Sequence, residues 1–317
     1  MSHSRPPQKA VLLCLAAIVA WGSLPLALKI CLKTVDPLTV TLVRFAVAGT
    51  ITMTWQRRPI LKGFGDLGPH LKLLLLGGIA LTANHLLYVW GLRFSSAGNA
   101  QLFIQLAPLL FGLTSVVVFK ESFSWKRGGG VAILVVGLAL YFMENLKLLA
   151  ANVEDYLMGC FLLALAAVTW VVYACCQRIL NPRLGPATVT AFFYLLATLC
   201  LAPLSQPASL ARLDTIGVIA LLYCGVNTLI AYGAFAAAID CWDSSRVSAT
   251  LALVPICTML MVEVFSHLFP VYVAAEETSG RAIFGALLVV AGSALAALAG
   301  AKPAVKLAPK PNSEPTD

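Results

Sequence analysis

Residues 10–32 read AVLLCLAAIVAWGSLPLALKICL, a run in which Lys29 is the one charge. A helix rises about 1.5 Å per residue, so about 20 apolar residues cross the roughly 30 Å hydrocarbon core of a bilayer. This run is long enough to do so. It is too long for a secretory leader and has no obvious small-residue cleavage site, so it reads as a first membrane helix. The rest of the chain carries the same signal: 60% of its 317 residues are hydrophobic and 11% are charged. Soluble domains lie near 45–50% and about 25%. A soluble fold of this size could not cover its surface with so few charges, and the mean hydropathy of +0.88 agrees.

Nine further segments follow, giving ten in all: Ala10–Leu32, Pro37–Trp55, Leu71–Leu92, Ala97–Phe119, Gly128–Met143, Tyr156–Cys176, Ala187–Leu204, Ile216–Ile239, Val247–Phe269 and Ala282–Gly300. Ten such spans leave only short connectors, with no room for a soluble catalytic domain. Charged or turn-forming stretches such as Gln56–Pro59, Lys126–Gly128, Asn181–Arg183 and Asp240–Ser245 separate them. The expected class is an all-α membrane protein with a cytoplasmic tail at 1–9 and a disordered tail at 301–317, both rich in Pro, Lys and Ser.

Net charge is +8. With the N-terminus in the cytoplasm, fifteen Lys and Arg fall on the cytoplasmic side and six on the other, with Arg44 inside a span. That bias fits ten helices with both termini cytoplasmic, and it explains the charge better than nucleic-acid binding does. The nine cysteines lie in or beside apolar runs, with no CxxC pair and no His/Cys ligand spacing. They read as small apolar filler, so no metal or cofactor is expected.

The two halves resemble each other. Trp21 and Trp170, and Pro37 and Pro186, are each 149 residues apart; Asn84 pairs with Asn227, Pro108 with Pro255, Gly130 with Gly285 and Gly137 with Gly292. The repeats divide as 10–143 and 156–300, joined by a linker at 144–155. Five helices per repeat is an odd number, so the second copy enters the membrane from the opposite side. An inverted repeat of this kind builds alternating access around a site near the midplane.

Trp21-Gly22-Ser23-Leu24-Pro25 in the first segment, Pro37 with Arg44 seven residues on, Pro108 with Glu121 thirteen residues on, and a Gly-rich fifth segment form an ordered series. In order, spacing and duplication it resembles the EamA family of the drug/metabolite transporter superfamily, over residues from about 10 to 300. The second copy departs from the pattern. Leu268 stands thirteen residues after Pro255, and Glu276 restores the register to Gly285 only with about eight extra residues in the ninth-to-tenth connection. The resemblance implies that helices 1, 3, 4, 6, 8 and 9 surround a cavity.

Few polar residues sit at depth, where a charge costs at least about 2.5–3.5 kcal/mol without partners or water. Arg44 could hold a carboxylate or phosphate, or tie its helix to a neighbour's carbonyls; the family pattern across diverse substrates favours the second. Gln101, Gln105, Pro108 and Gly112 share one helical face, with cavity lining and interhelical glue as rival roles. Gly112 adds room there but no chemistry. His85 reads as a packing residue. Trp21, Tyr88, Trp170 and Tyr232 could stack on an organic solute. The expected substrate-binding set is Trp21, Arg44, Asn84, Tyr88, Gln101, Gln105, Trp170, Asn227 and Tyr232. Pro108 and Pro255 are expected helix breaks. Glu263 and His267, one turn apart, are the candidate proton-coupling pair, against a reading in which Glu263 is solvated near a helix end.

The resulting expectation is a secondary active transporter of a small organic metabolite in a bacterial-type inner membrane, with export of an amino acid or related solute placed first. No nucleotide-binding motif is present, so the driving force would be a gradient. A sugar-phosphate or nucleotide-sugar exchanger should show converging Lys and Arg within the spans, where Arg44 stands alone. An intramembrane transferase should show clustered acids, His or Ser at depth, and a channel remains a further alternative. The expected partners are the solute and the lipid bilayer, and not nucleic acid; a homodimer is left open.

Overall fold

The computed structural model describes residues 8–120, 124–148, 153–242, 244–276 and 278–299, and their regular structure is entirely helical. Ten spans are long and apolar enough to cross a membrane. They are α1 (Gln8–Cys31), α2 (Pro37–Trp55), α3 (Leu71–Arg93), α4 (Ala97–Phe103 and Leu106–Val118), α5 (Trp125–Leu148), α6 (Val153–Leu184), α7 (Pro186–Leu201), α8 (Thr215–Cys241), α9 (Ser244–Leu251 and Val254–Leu268) and α10 (Gly280–Ala299). Helices suit this solvent because each satisfies its own backbone groups. An amphipathic helix of about two turns, Arg57–Phe64, follows α2 outside the spans.

Helix starts are marked by short polar side chains that accept backbone N–H groups left without a helical partner. Asp36 accepts from Thr39 at 3.0 Å, Ser96 from Asn99 at 3.0 Å, Asp214 from Gly217 at 2.7 Å and Ser279 from Ala282 at 3.1 Å. Several boundaries differ from the sequence reading: α5 runs on to Leu148 and α6 starts at Val153, both within the stretch 144–155 read as a linker. Helix α5 begins at Trp125, three residues before the Gly run. Helix α6 continues through Pro182 to Leu184, where a connector was expected, and stops before Gly185 at φ +80. Pro182 removes one N–H close to the helix end, where water can serve the carbonyl it leaves.

Helices pair across the halves: α1 with α8, α3 with α6, α2 with α7 and α5 with α10. Exchanging each helix of the first five with its counterpart in the last five returns the same set of pairs. Between α5 and α10, a β-carbon added at Gly130 would fall 2.5 Å from the Ala296 nitrogen, so the two backbones touch. Small residues permit this approach where lipid supplies no hydrophobic drive.

Both α4 and α9 break in mid-span. Pro108 has no N–H and its ring opposes the carbonyl of Ile104; Pro255 does the same to Leu251. The chain answers with tightened turns, Gln105 N–H to Leu102 O at 3.1 Å and Leu253 N–H to Thr250 O at 3.1 Å. The breaks meet: Gln105 Nε2 donates to Ala252 O at 3.4 Å.

Because consecutive spans alternate direction, the start of α1 shares a face with the ends of α4, α6, α8 and α10. We call this the N-terminal face. At the opposite face lies a buried cluster that includes Leu28, Val40, Val89, Leu92, Leu163 and Cys224. It closes that end.

Candidate functional site

A cavity of about 1110 Å³ occupies the centre of the bundle, between the two broken helices. Its floor, toward the closed end, includes Arg44, Tyr88 and Gln101. Its lining extends to Arg127, Arg178, Ser248 and Ala297 near the N-terminal face. All nine residues expected to bind substrate line it: Trp21, Arg44, Asn84, Tyr88, Gln101, Gln105, Trp170, Asn227 and Tyr232. Pro108 lines it too. Pro255 does not, although its neighbour Val254 does.

The positions of the polar groups follow from backbone chemistry. Pro25 lacks the N–H that would bond the carbonyl of Trp21, one turn earlier in α1. Gln101 Nε2 supplies that bond from α4 at 2.7 Å. The next carbonyl, Gly22 O, accepts from Thr258 Oγ1 at 2.9 Å, and the preceding one, Ala20 O, from Asn227 Nδ2 at 2.7 Å. On the other side, Asn84 Nδ2 donates to Ala166 O of α6 at 2.8 Å. Each asparagine thus ties its helix to a carbonyl on the Trp-bearing helix of the other half. In this state the four amides work as interhelical ties while bordering the cavity. The two roles set against each other in the sequence coexist.

The aromatic walls are braced. Trp21 meets Tyr232 edge-on at 5.4 Å and Phe235 at 5.6 Å; Trp170 meets Phe111 at 5.9 Å and Tyr173 at 6.3 Å, both edge-on. Such geometry suits ring quadrupoles and holds the rings in place. His85 also borders the cavity, with Nδ1 3.1 Å from Leu81 O and its ring 4.8 Å from Phe45.

Two further cations reach the lining, Arg127 and Arg178. In the sequence both stand near span ends, among the fifteen Lys and Arg counted on the cytoplasmic side. Arg178 lies over the Phe119 ring at 4.0 Å and donates to Ser115 Oγ at 3.4 Å. Arg127 lies against Gly112, where any β-carbon would collide with the guanidinium. Gly112 therefore does more than add room: it seats a charge. The signal for this was present in the shared face of Gln101, Gln105, Pro108 and Gly112, but which side chain would fill the gap is decided by tertiary packing. Among the described residues no carboxylate lines the cavity.

Glu263 and His267 are not brought to it. Their side chains are 67% and 72% exposed on the outer side of α9, 3.8 Å apart, and His267 Nδ1 is 2.8 Å from Glu263 O. Glu121 lies outside the described residues. The extended α9–α10 connection has a definite place. Glu276 accepts from Ala97 N–H at 2.7 Å and Gly98 N–H at 3.2 Å, Tyr272 donates to Asp214 at 2.8 Å, and Lys33 donates to Val271 O and lies over the Tyr272 ring. These contacts strap the closed end.

Fold and cavity together define a polytopic membrane protein that can hold a solute between its helices. Comparison with known proteins gives the family. The model of the EamA-like transporter family matches residues 8–143 and again 157–298. The chain belongs to this family. An Escherichia coli K12 protein named "Uncharacterized inner membrane transporter YhbE" is 32% identical over 293 residues, 91% of each chain. A Haemophilus influenzae protein named as a transporter is 30% identical over 285 residues, 90% of this chain and 93% of its own. A Salmonella typhimurium protein named "Probable amino-acid metabolite efflux pump" is 24% identical over 299 residues, 88% of this chain and 92% of its own. A solved crystal structure shares the fold, with a TM-score of 0.57 over 91% of this chain and 97% of that one at 23% identity. Membership points to a transporter rather than an enzyme.

Proposed function

We propose that this protein is a secondary active transporter that exports a small organic metabolite, an amino acid or related solute, across the inner membrane. Both termini would lie in the cytoplasm, and two inverted five-helix repeats would alternate access to the central cavity. One observation carries the reading: a cavity of about 1110 Å³, bordered by paired helix breaks, has a lining that runs toward one face while the other face is packed shut. Solute sites at broken helices near the midplane are the expected design for such carriers. The cross-half helix pairing supports the inverted repeat, and the name of the Salmonella relative supports the amino-acid class.

Proton coupling through Glu263 and His267 would need a state that turns their face of α9 inward, so the reading does not depend on it. Exchange of a phosphorylated sugar gains support from Arg127 and Arg178 in the lining, which the sequence alone did not place there.

Comparative metabolite profiling of cells with and without the protein should reveal the solute class. Counterflow in proteoliposomes with that solute should then saturate and be stimulated by solute on the opposite side. Flux that rises linearly with concentration, with no counterflow, would overturn the carrier reading in favour of a channel.

A further inference from the structure

We infer that the cavity takes an organic anion, a solute bearing a carboxylate or phosphate group, and that the anion is neutralised by Arg44. The inference deepens the transport reading by taking this cavity as the solute site. Arg44 is 4% exposed and borders the cavity floor. Its Nε and Nη1 are buried with no hydrogen-bond partner among the described residues. A guanidinium does not lose its proton in a protein, so the charge persists wherever it is buried. A buried, unpaired charge is unfavourable unless something neutralises it.

Among the described residues no carboxylate lines the cavity to supply a counter-charge. Arg44 lies within electrostatic reach of Cys31, His85, Tyr88, Tyr194 and Tyr232, none of them a carboxylate. The alternative from the sequence, that Arg44 ties α2 to neighbouring carbonyls, would show bonds from its nitrogens to those carbonyls. Nε and Nη1 make none. The amides nearby donate to backbone carbonyls, whereas the guanidinium Nε and Nη1 have no acceptor among the described residues.

Arg127 and Arg178 extend the same sign toward the N-terminal face. With no carboxylate among the described lining residues, the field along the cavity favours negative solutes throughout. Asn227 Oδ1 is a second buried group without a partner among the described residues, an acceptor on α8, which packs beside α2. A solute carrying an anion and a hydrogen-bond donor would satisfy both. Trp21, Trp170 and Tyr232 would flank the carbon skeleton between them.

The test uses the full-length chain purified in detergent, read by thermal stabilisation with matched probes. Phenylalanine and succinate are set against phenylalaninamide and succinamide, and phenyl phosphate forms a separate arm. At least one acid should stabilise the protein while its uncharged or amidated partner does not. Comparing the carboxylate and phosphate arms shows which anion fits. Arg44→Gln should weaken that probe on the order of ten- to a hundred-fold, the range of a charge-assisted hydrogen bond, with Arg44→Lys recovering part of it. Unliganded Arg44→Met should fold and melt no lower than the wild-type chain, since it removes an unpaired buried charge. The inference is overturned if amides stabilise as well as acids, if no acid in the panel stabilises, if Arg44→Gln binds like the wild type, or if Arg44→Met fails to fold. Anion binding without counterflow would defeat the transport reading and leave this one standing. Saturable transport of a cation would do the reverse.

Discussion

The two ends of the bundle are built from different chemistry. The closed end is an apolar cluster overlaid by a polar strap, in which one carboxylate, one phenol and one ammonium from or onto the α9–α10 connection hold the starts of α4 and α8 and the end of α1. The N-terminal end has a buried apolar cluster too, around Leu74, Leu180, Leu184 and Val189, but it brings Arg127 and Arg178 into the cavity lining. The connection around Phe269–Ala275, where the sequence spacing departs from that of the first half, gives Val271 and Tyr272 to this strap beside Glu276. A carrier must open that end to release solute, and the strap is made of contacts that exchange readily with water.

The strongest way to break the comparison is at the wall both ends share. Gly130→Val would place a β-carbon 2.5 Å from the Ala296 nitrogen and 2.8 Å from Gly292 O, and neither backbone atom can turn aside. Overpacking costs typically about 1–3 kcal/mol, and more where backbone must move. Folded yield by size-exclusion chromatography should fall sharply. Gly129→Val, with nothing within 4 Å, is the control and should be recovered normally. Equal yields would mean that the α5–α10 contact is looser than the glycines indicate.

Next in size is the strap. Glu276→Ala leaves the N–H groups of Ala97 and Gly98 without their acceptor, a loss comparable to removing a helix cap, about 0.5–2 kcal/mol. Hydrogen exchange at 97 and 98 should accelerate by about tenfold, with Glu276→Gln in between because an amide oxygen still accepts. Unchanged exchange would show that the apolar cluster alone holds the closed end. A smaller effect belongs to the other end: Arg127→Gln should raise the apparent KM for an anionic solute a few-fold, and added salt should shrink the difference, because partly exposed charges are screened within about 10 Å at 0.1 M.

Much of this was legible in the chain. The apolar runs set all ten spans, since nothing else in the sequence could satisfy so many buried backbone groups in lipid. Pro108 and Pro255 marked the breaks because a missing N–H acts locally. The nine lining residues could be found because polar and aromatic side chains are scarce in the spans, and two pairs of them, Trp21 with Trp170 and Asn84 with Asn227, stand at similar places in the two halves. What escaped was long-range. Arg127 and Arg178 sit at span ends and carry no periodic signal, and only the fold brings them to Gly112 and Ser115. Glu263 and His267 have a spacing that looks chemical, yet the rotation of α9 turns them outward, and one sequence does not specify that rotation. Glu276 stands out in the sequence only as an irregularity of register; its partners, Ala97 and Gly98, lie 179 and 178 residues away.

The smallest expected effect at neutral pH concerns Asp214, which caps α8 outside the membrane span and receives the Tyr272 hydroxyl. The Gly217 N–H, and after it Tyr272, hold its carboxyl below the ordinary 3.8, while the same contact pushes the Tyr272 phenol above its usual 10.0. A depressed acid contributes stability that is fully present above its unfolded value and is lost as pH falls through the lower folded value. A raised phenol contributes below its unfolded value and loses that as pH climbs through the higher folded one. This part of the strap should therefore be intact from about pH 4 to pH 10 and release at either extreme. Exchange at the Gly217 amide should rise on acidification below that window in the wild-type chain. Asp214→Asn keeps a good cap residue, so it should behave normally at pH 7 and lose the acid-induced rise. An Asn variant with the same acid midpoint would place the titrating group elsewhere in the connection and remove Asp214 from the strap.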